Sequence, residues 1–368
     1  MNTGFFVWVL SKADRFDGEL REFCGRFRWT RTIEWEDGVV VTIDQTLLPH
    51  KLVYLKLKSC REVASAIRSM KIRGAPLIGV ACAYGLALTA CSSKASSKAE
   101  FVRQIEVSAA MLRGTRPTGV NLFWAVDRVL NKLHGFSGSS VNALRDLVVN
   151  EALQMADEDA RVNRVIGRNG ARLIEDGDTV LTHCNAGALA TVEYGTALGL
   201  IRAAWEMGKK IDVIATETRP KLQGARLTAY ELKSEGIPFC LITDSMVGYV
   251  MSKGLVDKVV VGADRIVCDA VVNKIGTYSI AVLAHEHRVP FYVAAPFSTF
   301  DLEHKAEDVV IEERNPDEVT CFRSKRVAPT GTNVLNPAFD ITPMKYVTAI
   351  ICEKGVLAPE DVKRLAKA

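Results

Sequence analysis

The pattern of apolar and polar positions divides the chain into two parts. In the first part, two runs rich in β-branched residues, at 32–35 and 39–43, flank an Asp-Gly pair that is typical of a tight hairpin turn. Between residues 59 and 133 the apolar positions recur every three to four residues, which predicts several helices. The spacing of apolar positions in residues 144–166 predicts one long amphipathic helix that bridges two domains.

The second part of the chain alternates short apolar runs with helical stretches. Strands are predicted at 179–183, 211–216, 238–243, 258–262 and 291–294. Each run is apolar on both faces, as in a parallel sheet that is covered by helices, and the alternation indicates a doubly wound α/β domain. Ligands bind such a sheet at the carboxyl ends of its strands, so the residues that follow each strand are the first candidates for chemistry.

Composition and charge narrow the class of protein. The chain has 368 residues, enough for two domains, and 48% of them are hydrophobic and 24% charged, which excludes a disordered or fibrous protein. The net charge of +4 is spread along the chain without a basic run, so no nucleic-acid partner is expected. The apolar run near the start is too short to span a bilayer and has no signal-peptide pattern, so we expect a cytoplasmic protein without a membrane partner.

The cysteines and histidines do not form a recognised metal-binding or redox motif. Nine cysteines occur without a CxxC pair, which argues against both a disulfide framework and a structural zinc site. The histidines form no HExxH motif, and we expect no metal. The turn after the first strand of the second part has a single glycine where a dinucleotide site needs three, and no phosphate-binding loop of the GxxxxGK type occurs.

Two residues at strand ends are candidates for catalysis. Cys184 is predicted to lie between a strand end and the start of a helix, where backbone N–H groups and the helix dipole favour the thiolate. A buried and inert cysteine is an equally good interpretation of that position. Asp264 ends an apolar strand, where a carboxyl group with a raised pKa can act as an acid. Its local sequence alone favours a helix N-cap instead.

Cationic residues beside glycines are candidates for binding a phosphate. Arg73 and Arg116 each precede a predicted helix, where a guanidinium and free backbone N–H groups make an anion site. Taken alone, each position fits a surface turn before a helix at least as well. Lys274, in a turn that contains Gly276, is a third candidate phosphate contact.

These segments together resemble the methylthioribose-1-phosphate isomerase family. The resemblance runs from about residue 32 to about residue 356. The motifs that carry it occur in order and are RGAPLIG (73–79), RPTGVNL (116–122), THCNAG (182–187), ETRPKLQGARLT (217–228), GADR (262–265), NKIGTY (273–278), EERNP (312–316) and NPAFD (336–340). Each motif is moderately specific, and the ordered set is highly specific. Residues 1–29 have no counterpart in the family, and Gly119 stands where a slightly larger residue is expected.

The resemblance implies a fold, an activity and a set of site residues. It implies an extension at 1–29, a smaller helical N-terminal domain with a small β-sheet at 30–160, and a Rossmann-like domain with a mostly parallel sheet at 161–368. Cys184 and Asp264 match the two catalytic residues of the family. The positions that match its phosphate and sugar contacts are Arg73, Gly74, Ala75, Arg116, Gln223, Asn273 and Lys274.

The implied reaction is the conversion of 5-methylthioribose 1-phosphate to the corresponding ketose in methionine salvage. The resemblance further implies a homodimer that binds a small sugar phosphate and uses neither a metal nor a nicotinamide cofactor. Two alternatives from the same superfamily stay open: an isomerase of another ribose 1-phosphate derivative such as ribose 1,5-bisphosphate, and a non-catalytic regulatory subunit of the translation-initiation exchange factor.

Overall fold

The computed structural model describes residues 31–116, 120–322 and 325–365. The extension predicted at residues 1–29 and the departure noted at Gly119 therefore lie outside the described residues.

The chain enters the fold through a small antiparallel sheet. Its strands are β1 (Ile33–Glu36), β2 (Val39–Ile43) and β3 (Tyr54–Leu57), in that order. Asp37 and Gly38, which join β1 to β2, both have positive φ angles, 45° and 82°. This backbone conformation suits the tight turns of β-hairpins and favours Asp-Gly pairs, so the predicted hairpin is confirmed.

Five helices follow the small sheet. They are α1 (Cys60–Arg68), α2 (Ala75–Ser92), α3 (Lys98–Arg113), α4 (Val120–His134) and α5 (Val141–Ala171). Helix α2 is apolar on all sides because the other helices surround it in the core. By length and composition alone α2 is apolar enough to cross a membrane, but most of it is buried inside the protein, as expected for a core helix.

Helix α5 joins the two parts of the molecule. It packs against α2 in the first part and against α6 (Ala197–Glu206) in the second. Its contact with α6 is close: a Cβ atom on Gly167 would lie 2.8 Å from the carbonyl oxygen of Gly199, and one on Gly170 would lie 2.1 Å from the Leu200 side chain. The helix also crosses the predicted boundary between residues 160 and 161, so that division of the chain stays a prediction.

The second part is built on a seven-stranded sheet. Its strands, in spatial order, are β16 (Gly355–Leu357), β15 (Ala349–Cys352), β10 (Phe291–Ala294), β7 (Lys258–Val261), β4 (Thr179–Thr182), β5 (Asp212–Thr216) and β6 (Phe239–Ile242). All are parallel except β16. The five predicted strands and the mixed α/β fold class are confirmed.

The order of the strands defines where the sheet binds ligands. From β4 the chain proceeds outward to β5 and β6, and it then returns to place β7 on the other side of β4. A crevice opens at such a point because the connections leave the two neighbouring strands in opposite directions. The residues that follow β4 and β7 therefore meet at the carboxyl edge of the sheet.

The remaining strands and helices complete the second part of the chain. A second sheet has the order β11 (Phe300–Asp301), β8 (Arg265–Val267), β9 (Ala270–Lys274) and β14 (Phe339–Pro343), and β12 (Cys321–Phe322) pairs with β13 (Lys325–Arg326). The remaining helices are α7 (Ala229–Ser234), α8 (Val247–Ser252), α9 (Thr277–Glu286), α10 (Asp317–Thr320) and α11 (Pro359–Leu365). The second sheet was not predicted from the sequence.

Candidate active site

A cleft at the carboxyl edge of the large sheet gathers every residue that the sequence singled out. Its empty volume, part of it open to solvent, is about 910 Å³. The predicted site residues that line it are Arg73, Gly74, Ala75, Arg116, Cys184, Gln223, Asp264, Asn273 and Lys274. The two candidate catalytic residues follow the neighbouring strands β4 and β7, so the order of the strands brings together residues that are eighty positions apart.

The backbone of Cys184 is held in a conformation that is rare for residues other than glycine. Its φ angle is +64°. The Cys184 N–H donates a hydrogen bond to the Thr218 hydroxyl at 2.8 Å, and the Thr228 hydroxyl donates one to the Cys184 carbonyl at 2.6 Å. Such a conformation costs on the order of 1–3 kcal/mol and persists where the surroundings enforce it. Two threonine hydroxyls thus fix the direction of the Cys184 thiol.

The thiol of Cys184 does not lie at the N-terminus of a helix. The helix predicted directly after β4 begins only at Ala197, after a loop and a single 3₁₀ turn. Burial raises the pKa of Cys184, and the nearby cations Arg73 and Lys274 only partly oppose this effect. The expectation that a helix dipole acts on this thiol is therefore wrong, and burial favours the neutral thiol relative to an exposed cysteine.

The carboxyl group of Asp264 is the second titratable group of the cleft. Burial raises its pKa against the opposing effect of Lys274 and Arg116, so the protonated acid is favoured relative to an exposed aspartate. Among the described residues, no donor makes a hydrogen bond to this carboxyl. Strand β8 begins at the next residue, so the alternative interpretation of Asp264 as a helix N-cap is wrong.

Arg73 reaches the cleft from the turn before α2. Its two terminal nitrogens each donate a hydrogen bond of 2.7 Å to Asn185, one to the side-chain oxygen and one to the backbone carbonyl. Gly74 has a φ angle of 107°, and a Cβ atom there would lie 2.4 Å from the Cα of Ala190. Only glycine therefore allows the turn to pack against the loop that follows Cys184.

The buried carboxylate of Glu231 orients Asn185, which accepts the hydrogen bonds of Arg73. The Asn185 amide donates a hydrogen bond to Glu231 at 2.9 Å, and the backbone N–H groups of Ala188 and Leu189 donate to the same carboxylate at 2.8 and 3.2 Å. Glu231 is fully buried and forms an ion pair with Arg202 at 3.3 Å. Since the Asn185 amide nitrogen faces Glu231, its oxygen is directed toward Arg73. The sequence analysis quoted Asn185 within a motif but gave it no role.

Lys274 enters the cleft from the end of β9. Its ammonium donates a hydrogen bond of 2.5 Å to the Ala338 carbonyl and lies 4.8 Å from the centre of the Phe339 ring. Burial lowers its pKa, while Cys184 and Asp264 favour its charged form. The neighbouring Asn273 donates a hydrogen bond of 3.0 Å to the Thr277 hydroxyl. Both residues belong to the sheet that the sequence did not predict.

His183 links the loop after β4 to the end of β5 and to the turn after β9. Burial lowers its pKa, so the ring is neutral. Its Nε2 lies 2.9 Å from the Ile275 carbonyl, which can only accept, so Nε2 carries the proton. Its Nδ1 then accepts from the Thr216 hydroxyl at 2.6 Å. His183 belongs to one of the motifs quoted above, but no role was predicted for it from the sequence.

Two predicted contacts leave polar atoms without a protein partner. Within the described part of the chain, the side-chain oxygen of Gln223 and the Nε of Arg116 are buried and make no hydrogen bond. Unpaired buried groups cost about 1–3 kcal/mol each, and a bound molecule with complementary atoms removes that cost. Arg116 also forms an ion pair with Glu312 at 3.3 Å. These atoms are suited to bind the hydroxyl and phosphate oxygens of a ligand.

One wall of the cleft, here called the cover, comes from residues 312–318 and 336–339. Arg314 donates two hydrogen bonds to Glu318, at 2.9 and 2.8 Å, and lies 3.3 Å from Glu312. The Lys221 ammonium lies 3.4 Å from Glu318. Burial opposes the charge of Glu318, but the Arg314 guanidinium prevails and lowers its pKa to about 2. The motifs EERNP (312–316) and NPAFD (336–340) contribute to the family resemblance, but the sequence predicted no role for the cover.

The described residues contain no cluster of three or more histidine, cysteine, aspartate or glutamate side chains that is arranged to hold a metal ion.

Comparison with known proteins places these features in a family. Residues 71–359 match the initiation factor 2 subunit family. The methylthioribose-1-phosphate isomerase of Geotalea uraniireducens is 54% identical over 337 residues, which cover 91% of this chain and 97% of that protein. The 5-deoxyribose 1-phosphate isomerase of Moorella thermoacetica is 52% identical, with coverage of 91% and 96%.

Two solved structures share the fold. The 5-methylthioribose 1-phosphate isomerase from Pyrococcus horikoshii OT3 superposes with a TM-score of 0.85 and 44% identity, covering 94% of this chain and 96% of that chain. The translation initiation factor eIF-2B subunit delta from A. fulgidus superposes with a TM-score of 0.81 and 51% identity, covering 92% and 100%.

Proposed function

The chain belongs to the initiation factor 2 subunit family and, within it, to the methylthioribose-1-phosphate isomerases, and we propose that it converts 5-methylthioribose 1-phosphate to 5-methylthioribulose 1-phosphate. The reaction is an aldose–ketose isomerisation of methionine salvage. The observation that carries the proposal is the shared cleft, in which Cys184 and Asp264 accompany the cations Arg73 and Lys274.

The first chemical step opens the sugar ring. The anomeric oxygen of the substrate carries the phosphate, so the ring does not open spontaneously as that of a free sugar does. Asp264, kept protonated by burial, gives its proton to the ring oxygen as the bond between that oxygen and C1 breaks. Arg73, Arg116 and Lys274 hold the phosphate, and such positioning contributes several kcal/mol to lowering the barrier.

The second step moves hydrogen from C2 to C1. In the proton route, the Cys184 thiolate removes the C2 proton and the thiol returns it to C1 through an enediol-like intermediate. The C2 hydroxyl then loses its proton to the Asp264 carboxylate, which restores the acid. In the rival route a hydride moves directly from C2 to C1 while Cys184 only stabilises charge, and the hydroxyl proton again returns to Asp264. The raised pKa of Cys184 favours the rival route, because that route requires no thiolate.

Substrate labelled with deuterium at C2 separates the two routes. Extensive loss of the label to solvent supports proton transfer, because the Cys184 thiol exchanges its hydrogen with water. Complete retention of the label at C1 supports the hydride shift. Mass spectrometry of the ketose product measures the label.

Turnover tests the proposed function directly. The purified protein is incubated with 5-methylthioribose 1-phosphate, and carbon NMR follows the ketone carbon of the product. The proposal predicts a ketone signal that grows with enzyme concentration. An aldose that stays unchanged at high enzyme concentration contradicts it.

The similarity to eIF-2B subunit delta, at 51% identity, raises a regulatory subunit as a second candidate. Such a role does not require a thiol and a carboxyl group beside two cations in one cleft. The turnover assay separates the candidates, since a regulatory subunit yields no ketose.

The proposal extends to assembly and location. We infer a homodimer from the family resemblance. Light scattering tests this inference, which predicts a particle with twice the 40.4 kDa mass of the chain.

We place the protein in the cytoplasm because its described cysteines are free thiols, and a reducing compartment keeps cysteines in that form. Fractionation of cells of the source organism tests the location.

A further inference from the structure

The loop that follows β5 contains a residue whose backbone conformation its own side chain disfavours. Thr218 is the second residue after the strand, its side chain is fully buried, and its φ angle is +64°. This region of conformation is an outlier for a β-branched residue, and it persists only where the surroundings enforce it. The contacts of Thr218 with the rest of the chain therefore show what holds the loop in place.

Asp244, which lies just after the neighbouring strand β6, supplies those contacts. One of its carboxyl oxygens accepts a hydrogen bond from the N–H of Thr218 at 2.8 Å, and the other accepts from the N–H of Arg219 at 2.7 Å. These two N–H groups belong to the peptide groups on either side of the Thr218 Cα. Asp244 thus fixes both backbone angles of Thr218, although it is not among the described residues that line the cleft.

The hydroxyl of Thr218 is oriented by the proton balance of its neighbours. The Thr216 hydroxyl gives its only proton to Nδ1 of His183, at 2.6 Å. The Thr218 hydroxyl lies 3.2 Å from the Thr216 hydroxyl and 3.3 Å from the Thr216 carbonyl, and both of these oxygens then accept from it. Its lone pairs therefore remain for the N–H of Cys184, which donates to it at 2.8 Å.

We propose that Asp244 is a positioning residue that directs the Cys184 thiol through Thr218. The contacts run from the Asp244 carboxyl to the Thr218 backbone, and from the Thr218 hydroxyl to the Cys184 backbone. Because Cys184 also has a φ angle of +64°, its backbone relaxes when that hydroxyl moves away. A displacement of about 1 Å in a reacting group can reduce a rate by about 100-fold.

The effect on turnover rests on the proposed isomerase function, whereas the effect on the reactivity of the Cys184 thiol does not require it. Two measurements are therefore made on each protein. Steady-state kinetics with 5-methylthioribose 1-phosphate gives kcat and KM. Mass spectrometry of the peptide that contains Cys184 gives the rate at which iodoacetamide alkylates this thiol.

The variants separate the proposed link from a general loss of stability. Asp244→Asn keeps the side-chain shape but leaves one acceptor oxygen for two N–H groups. Thr218→Val removes the hydroxyl and keeps the branched shape, whereas Thr218→Ser retains the hydroxyl. The matched control is Asp257→Asn, because Asp257 accepts from the backbone N–H of Thr179 at 2.8 Å, at the opposite, amino edge of the large sheet.

We expect Asp244→Asn to lower kcat by about 10–100-fold and to change KM by less than about threefold. KM is little affected because the phosphate contacts Arg73, Arg116 and Lys274 lie on other elements. Burial raises the pKa of Cys184, and a looser loop admits water to the thiol. Its thiolate then becomes more accessible, so alkylation of Cys184 in this variant should be faster by about threefold or more.

A double-mutant cycle tests whether Asp244 acts through Thr218. The kcat of the protein with both Asp244→Asn and Thr218→Val should equal that of Thr218→Val within about threefold, because both changes break the same chain of contacts. Thr218→Ser should lose less kcat than Thr218→Val. Asp257→Asn should match the wild-type protein in kcat and in the alkylation rate.

Losses of kcat that multiply in the double variant overturn the inference. Wild-type kcat and an unchanged alkylation rate in Asp244→Asn overturn it as well. Absence of turnover in the wild-type protein overturns the proposed function instead, and the alkylation rates then decide the role of Asp244. If Asp244→Asn does not fold, Asp244→Ser, which keeps one acceptor oxygen, replaces it in each comparison.

Discussion

At the scale of single residues, the account depends on two groups whose neutral forms are favoured by burial. Cys184 and Asp264 each have a raised pKa, and both face the same cleft. Replacing Cys184 by serine or Asp264 by asparagine preserves side-chain size and removes the thiol or the acidic proton. We expect each change to reduce kcat by about 10²–10⁴-fold, because Asp264 acts as a positioned acid and Cys184 acts either as a positioned base or by stabilising charge.

The control for this prediction is Cys240→Ser, at a partly buried cysteine of β6 outside the cleft. It removes a thiol without touching the proposed chemistry, and its kcat should equal that of the wild-type protein. Thermal unfolding of all three variants checks that the fold is intact. Near-normal turnover in Cys184→Ser or Asp264→Asn removes that residue from the mechanism.

A second prediction at this scale concerns the partner of Arg73. Asn185→Ala removes one of the two hydrogen-bond acceptors of the guanidinium, whereas Asn185→Asp places a carboxylate beside it. We expect KM to increase in both variants and more in the aspartate variant, because its charge competes with the substrate phosphate for Arg73. Steady-state kinetics measures the effect. A smaller KM effect for aspartate than for alanine contradicts this role.

The sequence identified the residues of the cleft better than their partners. Arg73 and Lys274 were recognisable because their motifs are short and contiguous. Asn185 and Glu318 each pair with a cation far away in the chain, Arg73 and Lys221 respectively, and such pairings depend on tertiary structure that a local pattern does not contain. The protonation of Cys184 was mispredicted for a related reason: it follows from burial, and the local sequence pointed to a helix that starts thirteen residues later.

At the scale of elements, the site depends on the close packing of helices and on the order of strands. The parallel strands were predictable because runs such as β7 are apolar on both faces. The second sheet was not, because β14 is amphipathic and β9 was interpreted as a loop. The helix after β4 was extended too far toward its N-terminus, because the apolar residues of the buried loop resemble a buried helix segment.

The contact between α5 and α6 yields a prediction on stability. Alanine normally stabilises a helix interior relative to glycine. At Gly167, however, the added Cβ would lie 2.8 Å from a backbone oxygen of α6. We expect Gly167→Ala to lower the free energy of unfolding by about 1–3 kcal/mol, because the helices must move apart.

The matched control is Gly248→Ala on α8, where the nearest atom to an added Cβ lies 3.6 Å away. This change should leave stability unchanged or raise it slightly. Denaturant unfolding compares the two variants. A stabilising Gly167→Ala would show that the helices are not held at this separation.

At the scale of the whole molecule, α5 links its two parts through a partly buried carboxyl group. Asp159 on α5 accepts a hydrogen bond of 2.7 Å from the N–H of Val192, in the loop that carries the site. Burial raises the pKa of Asp159 to about 7. Between about pH 4 and pH 7 the folded protein therefore holds a proton that the unfolded chain has released, so this group makes stability fall as pH rises through that window.

Asp159→Asn removes this dependence and keeps an oxygen that accepts from Val192. The stability of the variant relative to the wild-type protein should increase from pH 4 to pH 7 and change little above that. Urea unfolding at pH 5 and pH 8 measures the difference, which should exceed about 1 kcal/mol. A difference that is independent of pH contradicts the assignment of a neutral Asp159.

The central claim is that one sugar phosphate fits between the groups after β4 and those after β7. The most direct measurement is a crystal structure of the Cys184→Ser variant with 5-methylthioribose 1-phosphate. The account predicts the phosphate on Arg73 and Lys274, C2 within about 4 Å of the residue 184 side chain, and the ring oxygen within hydrogen-bond reach of Asp264. A sugar phosphate bound outside this cleft, or bound in it with C2 and the ring oxygen turned away from both residues, contradicts the account.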